Sequence, residues 1–406
     1  LSATASLSET QTGPDQALAA LGHAGFREGQ EEVINAILAG RNVLALMPTG
    51  AGKSLCYQLP ALLLPGLTVV ISPLIALMEN QIAALRAKGI PAGMIHSGRE
   101  REANVADWKA AAAGELKLLY MSPERLMTGR MLGALRRQDL SLIAIDEAHC
   151  VSQWGHQFRP EYRQLGRLKE VWPDVPVAAF TATADPETRE DILQALFEGN
   201  ADLIRQGFDR PNISLNVAER ERDDRVLMTL MRRYRRKCGI VYCRTRKSVE
   251  LVTQRLAGAR FNVAAYHAGL PEEERLSILE RFISAENMTV VATVAFGMGI
   301  DKPDIDFVIH RDLPASLEAY YQEIGRSGRD GREAEAHLIF GIGDLIARRR
   351  LIDGSDAPDK VKRVERRRLD ALVAFCETDL CRRAELLRYF GEEPRDACGN
   401  CDLCVD

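Results

Sequence analysis

Long hydrophobic runs are missing from this 406-residue sequence. Stretches such as Ala61-Leu62-Leu63-Leu64 are cut by Pro65 and Gly66, far short of the ~20 apolar residues that span a bilayer, so no membrane segment is expected. An excess of basic charge is missing too: 53 Lys and Arg face 57 Asp and Glu, a net charge of −4. Global charge therefore gives no reason to expect nucleic acid, although it leaves room for a local basic path. No glycine-serine linker or low-complexity tract is present. Residues Leu1 to Gln16 lack Met and any basic-then-apolar signal pattern; rich in Ser and Thr, they are expected to form a flexible leader of a processed or trimmed chain. Nine cysteines are too few for a disulfide scaffold at this length. Cys56, Cys150, Cys238 and Cys243 stand singly among apolar residues and read as small buried hydrophobes in a reducing compartment. The other five crowd between Cys376 and Cys404.

What is present is enough apolar material, 46% of residues, for more than one core. Apolar strands are expected at Asn42–Leu46, Leu67–Leu74, Lys117–Ser122, Leu140–Asp146 and Val175–Thr183, with helical or loop sequence between them. After a polar interlude, Gly207 to Asn212, the pattern resumes at Gly239–Tyr242, Asn262–Tyr266, Thr289–Ala292, Asp306–His310 and Ala336–Phe340. Such alternation predicts α/β architecture: two tandem parallel-sheet domains, over residues 17–208 and 209–342. From 343 to 406 the sequence turns helical and charged and is expected to form a small helical subdomain packed on the second domain.

The chemistry starts at Met47-Pro48-Thr49-Gly50-Ala51-Gly52-Lys53-Ser54, between the first strand and a helix. Gly50 and Gly52 permit a tight turn that exposes amide N–H groups to phosphate, Thr49 lies in the same turn, Lys53 offers a mobile charge, and the Ser54 hydroxyl suits Mg²⁺. Asp146 and Glu147 end the strand Leu142–Ile145; beside such a loop Asp146 is placed to hold Mg²⁺ and Glu147 to position or deprotonate water. Arg326 and Arg329, in a glycine-bearing loop of the second domain, are expected to meet the γ-phosphate across a cleft. Cys381, then sixteen residues, then Cys398-x-x-Cys401-x-x-Cys404 has the number and spacing for a closed structural Zn²⁺ site. Cys376 is the one competitor for the first ligand.

Together the P-loop, Asp146-Glu147-Ala148-His149, Thr181-Ala182-Thr183 and Gln322-Glu323-Ile324-Gly325-Arg326-Ser327-Gly328-Arg329 resemble the ordered motifs of superfamily 2 helicases. More narrowly, Phe26-Arg27-x-x-Gln30, Ser152 to Tyr162, Ala292 to Ile300 and the terminal cysteines resemble the RecQ DNA helicases, from about Leu18 to Cys404. The resemblance implies that each α/β domain is RecA-like, the first carrying the P-loop and an aromatic-rich loop, the second the arginines. It implies that Arg27 and Gln30 contact adenine. His23 stands where the family often has a stacking tyrosine, and Leu21 replaces a usual aromatic, so base selectivity is left open. Trp154, His156, Phe158 and Arg159 match the aromatic-rich loop, whose flat faces and single cation would grip unstacked bases. Thr181 and Thr183 would join hydrolysis to strand binding. Tyr242, Arg244, His267 and Thr293 look like contacts to DNA backbone phosphates.

The implied protein is an ATP- and Mg²⁺-dependent DNA helicase, moving 3′ to 5′ on single-stranded DNA and unwinding duplexes in repair and recombination. It would be monomeric, cytoplasmic and nucleoid-associated if bacterial, with single-strand-binding or repair proteins as partners. The sequence stops at Asp406, where longer relatives continue into a winged helix, which leaves its unwinding strength open. Two alternatives stay open as well: an RNA helicase with the same motor, and a clamp that binds ATP without turnover.

Overall fold

The computed structural model describes residues 13–152, 158–221, 224–297 and 302–405. Seven strands form a first sheet: β1 (Val43–Leu46), β2 (Leu67–Ile71), β3 (Ala92–Ile95), β4 (Leu118–Met121), β5 (Leu140–Ile145), β6 (Val177–Thr181) and β7 (Asp202–Arg205). Their order is β3-β4-β2-β5-β6-β1-β7. Six more form the second sheet: β8 (Ile213–Glu219), β9 (Gly239–Tyr242), β10 (Val263–Tyr266), β11 (Thr289–Ala292), β12 (Phe307–His310) and β13 (Ala334–Phe340), in the order β10-β11-β9-β12-β13-β8. Among the described residues every strand pairing inside these sheets is parallel.

The second order repeats the first with β8 in place of β1 and so on along the chain, short only of a counterpart to β7. Central strands such as β1 and β9 are buried along their whole length, as strands covered by helices on both faces must be. Parallel pairing also puts every strand's C-terminal end on one edge of its sheet. The loops that follow β1, β5 and β6 therefore gather at one place.

Three strands were not expected from the sequence: β3, β7 and β8, each at a sheet edge. β7 buries only Ile204 and β8 only Ile213 and Leu215, so neither carries a continuous apolar run. β3 is short and contains Gly93, where a side chain would press on Leu116 and Asp107. At the N-terminus, a helix over Pro14–Ala20 begins inside the stretch assigned to the leader, so only residues 1–12 of that stretch lie outside the described residues.

The helical C-terminal part closes the exposed edge of β8. Leu215 bridges to Cys401, and the Val217 amide donates to Asp402 at 2.9 Å. It was expected to pack on the second domain, and it also reaches the first. Arg368, on the helix Asp359–Glu377, donates to Asp185 and Thr188 at 3.1 Å each and pairs with Glu318 of the second domain at 3.1 Å. The guanidinium is buried, as is Glu318, which also accepts from the Tyr389 hydroxyl at 2.7 Å. One cation thus neutralises a carboxylate from each domain. Arg368→Ala should cost about 3–5 kcal/mol, because two carboxylates lose their buried partner. Urea unfolding of the two chains, compared at fixed pH, measures it.

Candidate nucleotide cleft, strand face and metal centre

The turn after β1 runs from Met47 to Ser54 and leads into the helix Leu55–Leu63. Gly50 and Gly52 hold φ of +85° and +80°, the left-handed region that disfavours any side chain. A Cβ on Gly52 would also sit 2.5 Å from the Gln30 amide nitrogen. The Lys53 ammonium donates to the Met47 carbonyl at 3.3 Å, and the Ser54 hydroxyl accepts from Gln81 at 3.1 Å. Gln81, on the helix Ile75–Ala87, in turn accepts from Tyr57 and so orients that hydroxyl; the sequence reading missed it.

Gln30 is buried and fully engaged. Its amide donates to the Ala51 and Gly52 carbonyls at 2.9 and 3.2 Å, and its carbonyl accepts from the Arg27 amide at 2.7 Å. Arg27 donates to the Gly50 carbonyl. Both residues expected to face adenine thus grip the P-loop backbone instead, and reading a base would require exchanging those bonds. His23 is exposed nearby; its partial burial and the charges of Lys88 and Arg27 hold its imidazole below the usual range.

Asp146 follows β5. Burial, then the adjacent Glu147, push its carboxyl up to about 7, against the opposing pull of Lys53. A buried anion in that position is one that a divalent cation would stabilise, so the Asp146 and Ser54 oxygens fit Mg²⁺. Glu147 adopts φ 50°, ψ 46°, left-handed for a residue with a side chain, which costs ~1–3 kcal/mol. Its amide donates to Asp146 at 3.0 Å and its carboxylate lies 3.2 Å from His149 Nδ1.

From there a polar chain crosses to the other domain. The same His149 nitrogen is 3.1 Å from the Thr181 hydroxyl, and that hydroxyl donates to the Thr183 carbonyl at 3.1 Å. The Thr183 hydroxyl accepts from Gln322 of the second domain at 3.1 Å. Burial alone would lower the His149 imidazole; Cys150 and Glu147 outweigh it and raise it above the ordinary range.

The two arginines part company. Arg329 lies over the P-loop, its Cγ 3.3 Å from where a Gly50 Cβ would be. Arg326 instead turns into its own domain and donates to the Gly297 carbonyl, 2.6 Å from where a side chain on Gly297 would begin. Of the two arginines expected at the cleft, Arg329 is the one this structure places over the P-loop. Gly325 meets Thr49, with 3.2 Å between its missing Cβ and the threonine Cβ, so the arginine loop seats directly on the P-loop. Arg210 also lines this cleft of about 600 Å³, and no sequence motif pointed to it.

Of the residues expected to hold DNA, Trp154 and His156 lie outside the described residues. Phe158 is exposed, and Arg159 is anchored to the Pro73 carbonyl at 3.2 Å. Arg244 is exposed just past β9, its amide held by Asp312 at 2.9 Å; Thr293 is half-buried. Tyr242 and His267 have internal partners. Tyr242 is a core residue stacked on His310, its hydroxyl donating to the Phe296 carbonyl at 2.9 Å. His267 is buried with both ring nitrogens engaged, by Glu250 at 2.6 Å and the Gly269 amide at 3.2 Å. Reasoning from sequence missed Ser72, His96 and Ser122, which follow β2, β4's neighbour β3, and β4. Their buried hydroxyls and ring nitrogens have no hydrogen-bond partner among the described residues. The signal was available: each is the polar residue that ends an apolar strand.

Cys381, Cys398, Cys401 and Cys404 bring their sulfurs within 4.8 Å of one another, with Cys381 and Cys401 at 3.9 Å. Tetrahedral Zn–S bonds of ~2.3 Å need sulfurs ~3.8 Å apart, so the cluster fits zinc. Backbone N–H groups of Gly399 and Cys398 pull the Cys404 thiol down to about 7, towards the thiolate a metal requires. Cys376 is buried on its helix and is not in the cluster.

Comparison with known proteins gives this geometry a context. The model of the DEAD/DEAH box helicases matches residues 27–192, that of the helicase conserved C-terminal domain 223–331, and that of the RecQ zinc-binding domain 342–405. The chain is 45% identical to the ATP-dependent DNA helicase RecQ of Haemophilus influenzae, over 95% of this chain and 62% of that protein. With the protein of the same name from Bacillus subtilis it shares 42% identity, over 95% of this chain and 65% of that one. It thus spans under two thirds of the length of these relatives. The DEAD-box helicase Mss116 bound to ssRNA superposes with a TM-score of 0.67 at 18% identity, covering 96% of this chain and 83% of that one. The likeness establishes the fold: two RecA-like domains in tandem.

Cys401→Ser removes the one ligand that is wholly buried and bridged to β8. Metal analysis should find bound zinc lost and the thermal midpoint lowered; a fully metallated, equally stable variant would remove the four-sulfur site.

Proposed function

We infer the function from one premise: the chain belongs to the RecQ family of superfamily 2 helicases, with the zinc-binding domain of that family. We propose that it couples ATP hydrolysis to 3′-to-5′ movement on single-stranded DNA and to duplex unwinding, in DNA repair and recombination. The observation that carries this reading is the seating of the Arg329 loop on the P-loop, whose Lys53 acts on the Asp146 carboxyl.

In this reading the P-loop amides and Lys53 bind the phosphates, while Arg27 and Gln30 leave the P-loop carbonyls to read the base, with His23 at its edge. Ser54 and Asp146 hold Mg²⁺, which supplies charge neutralisation at the phosphates. Glu147 orients the attacking water, its position fixed by its left-handed backbone and by His149. Arg329 meets the charge that develops on the transferred phosphoryl group, and such a residue is worth ~10³–10⁵ in rate. Arg326 braces the arginine loop from behind, against Gly297.

The strand path follows the C-terminal edges of both sheets: Ser72, His96 and Ser122 on the first, Arg244 and Thr293 on the second. Trp154, His156, Phe158 and Arg159 grip unstacked bases. Thr181, Thr183 and Gln322 link the two activities. Neutral donors on this path reconcile strand binding with a net charge of −4. Zinc in the four-cysteine cluster is structural. The chain acts as a monomer, in the cytoplasm and on the nucleoid if its source is bacterial, alongside single-strand-binding or repair proteins.

The test is strand separation on duplexes that carry a 3′ or a 5′ single-stranded tail, with Lys53→Ala in parallel. Unwinding confined to the 3′ tail, and abolished with ATP turnover in Lys53→Ala, is expected. Equal unwinding from the 5′ tail, or hydrolysis stimulated by RNA over DNA, would contradict the reading.

A further inference from the structure

The segment between β7 and β8 joins the two domains: the Gln206 amide donates to the Leu46 carbonyl of the first domain at 2.9 Å, and beyond it the contacts change sides. Tyr321 donates its hydroxyl to the Phe208 carbonyl at 2.8 Å, and the Phe208 amide donates to Glu392 at 2.5 Å. Arg383, two residues after the zinc ligand Cys381, donates to Asp209 at 2.8 Å, to the Arg210 carbonyl at 2.6 Å and to the Ile213 carbonyl at 2.7 Å. Asn212 ties the segment to the arginine loop through the Gly328 and Arg332 carbonyls, both at 2.9 Å. From Phe208 to Asn212 these partners belong to the second domain or the zinc module.

The Arg210 side chain makes the opposite reach. Its Nη1 donates to the Thr49 carbonyl of the P-loop at 3.0 Å, while Nη2 donates to the Ser327 and Gly328 carbonyls at 3.3 and 3.0 Å. One planar guanidinium therefore spans both loops of the cleft, and Nη1 lies 3.8 Å from the same Gly50 position that Arg329 covers. A fork with two donating ends can make this bridge; an ammonium at one point serves one loop at a time.

We propose that Arg210 is a positioning residue for phosphoryl transfer: it holds the arginine loop on the P-loop so that Arg329 reaches the γ-phosphoryl group, and the zinc module sets its place through Arg383. The inference rests on the reading of the cleft as a site of ATP hydrolysis. Arg210 acts through backbone carbonyls rather than on the nucleotide. Its loss should therefore slow turnover and leave the phosphate-binding amides and Lys53 intact.

The experiment is steady-state ATP hydrolysis at saturating single-stranded DNA for the full chain and for Arg210→Ala, Arg210→Gln, Arg210→Lys, Arg329→Ala and the Arg210→Ala/Arg329→Ala double variant. Zinc content and thermal midpoint are measured on each. Loss of two or three charge-assisted bonds should lower kcat by about 10- to 100-fold. KM for ATP should change by less than about threefold, and Lys should not restore the rate. The double variant should be no slower than Arg329→Ala, since one residue works through the other. Arg383→Ala, with zinc content unchanged, should lower kcat in the same direction. A kcat equal to the wild type in Arg210→Ala and Arg210→Gln, recovery by Lys, or losses that multiply in the double variant would each overturn the proposal. A wild-type kcat in Arg383→Ala would detach the zinc module from it. Absence of hydrolysis in the unsubstituted chain would instead overturn the reading of the cleft itself.

Discussion

Two turns from different domains meet in this molecule, and each offers a glycine to a side chain of the other. Gly325 sits against Thr49, and Gly50 lies under Arg329. A methyl group on either glycine would push the turns apart by a few tenths of an ångström, and at Gly50 it would also oppose a φ of +85°. The rest of the cleft depends on that approach. It places the Arg329 side chain over the P-loop, and it brings Gln322 within a hydrogen bond of Thr183. Neither domain alone holds the full set of groups, so on the proposed reading hydrolysis reports on the relation between the domains.

The electrostatics of the first domain fit that dependence. Burial of the Asp146 carboxyl, and after it the charge of the adjacent Glu147, raise it to about 7. Lys53 and His149 oppose the rise. The protein has thus gathered two anions, a lysine and a buried histidine at the end of one strand, and tied the histidine by way of two threonines to the neighbouring domain. A shift of the second domain would alter the hydrogen bond at Thr183 first, and the geometry at Glu147 through it. The zinc module extends the same logic: Arg368 and Arg383 both reach outside it, to Asp185 of the first domain and to the joining segment.

Much of this was legible in the sequence because the relevant signals are local. Central strands in a parallel sheet are apolar throughout, and β9 and β11 run over the very residues expected for them. The P-loop glycines, the paired carboxylates and the four clustered cysteines are spacings along the chain. What escaped depends on partners far away in sequence. The edge strands β7 and β8 lack a full apolar face, Gln81 matters because Ser54 and Tyr57 lie beside it, and Arg210 looks like any arginine in a polar loop until Thr49 is placed against it. Tyr242 and His267 were expected at the DNA backbone from the family resemblance, and here His310 and Glu250 engage them. Arg326 and Arg329 are three residues apart in one motif, yet a single turn sends one into its own domain and the other into the cleft.

The central claim is that the P-loop and the arginine loop behave as one unit. Amide hydrogen exchange across residues 47–54 and 322–331, followed as a non-hydrolysable ATP analogue with Mg²⁺ is titrated in, tests it directly. The account predicts that both segments gain protection together, over the same range of nucleotide concentration. Protection confined to 47–54, with 322–331 exchanging as before, would contradict it.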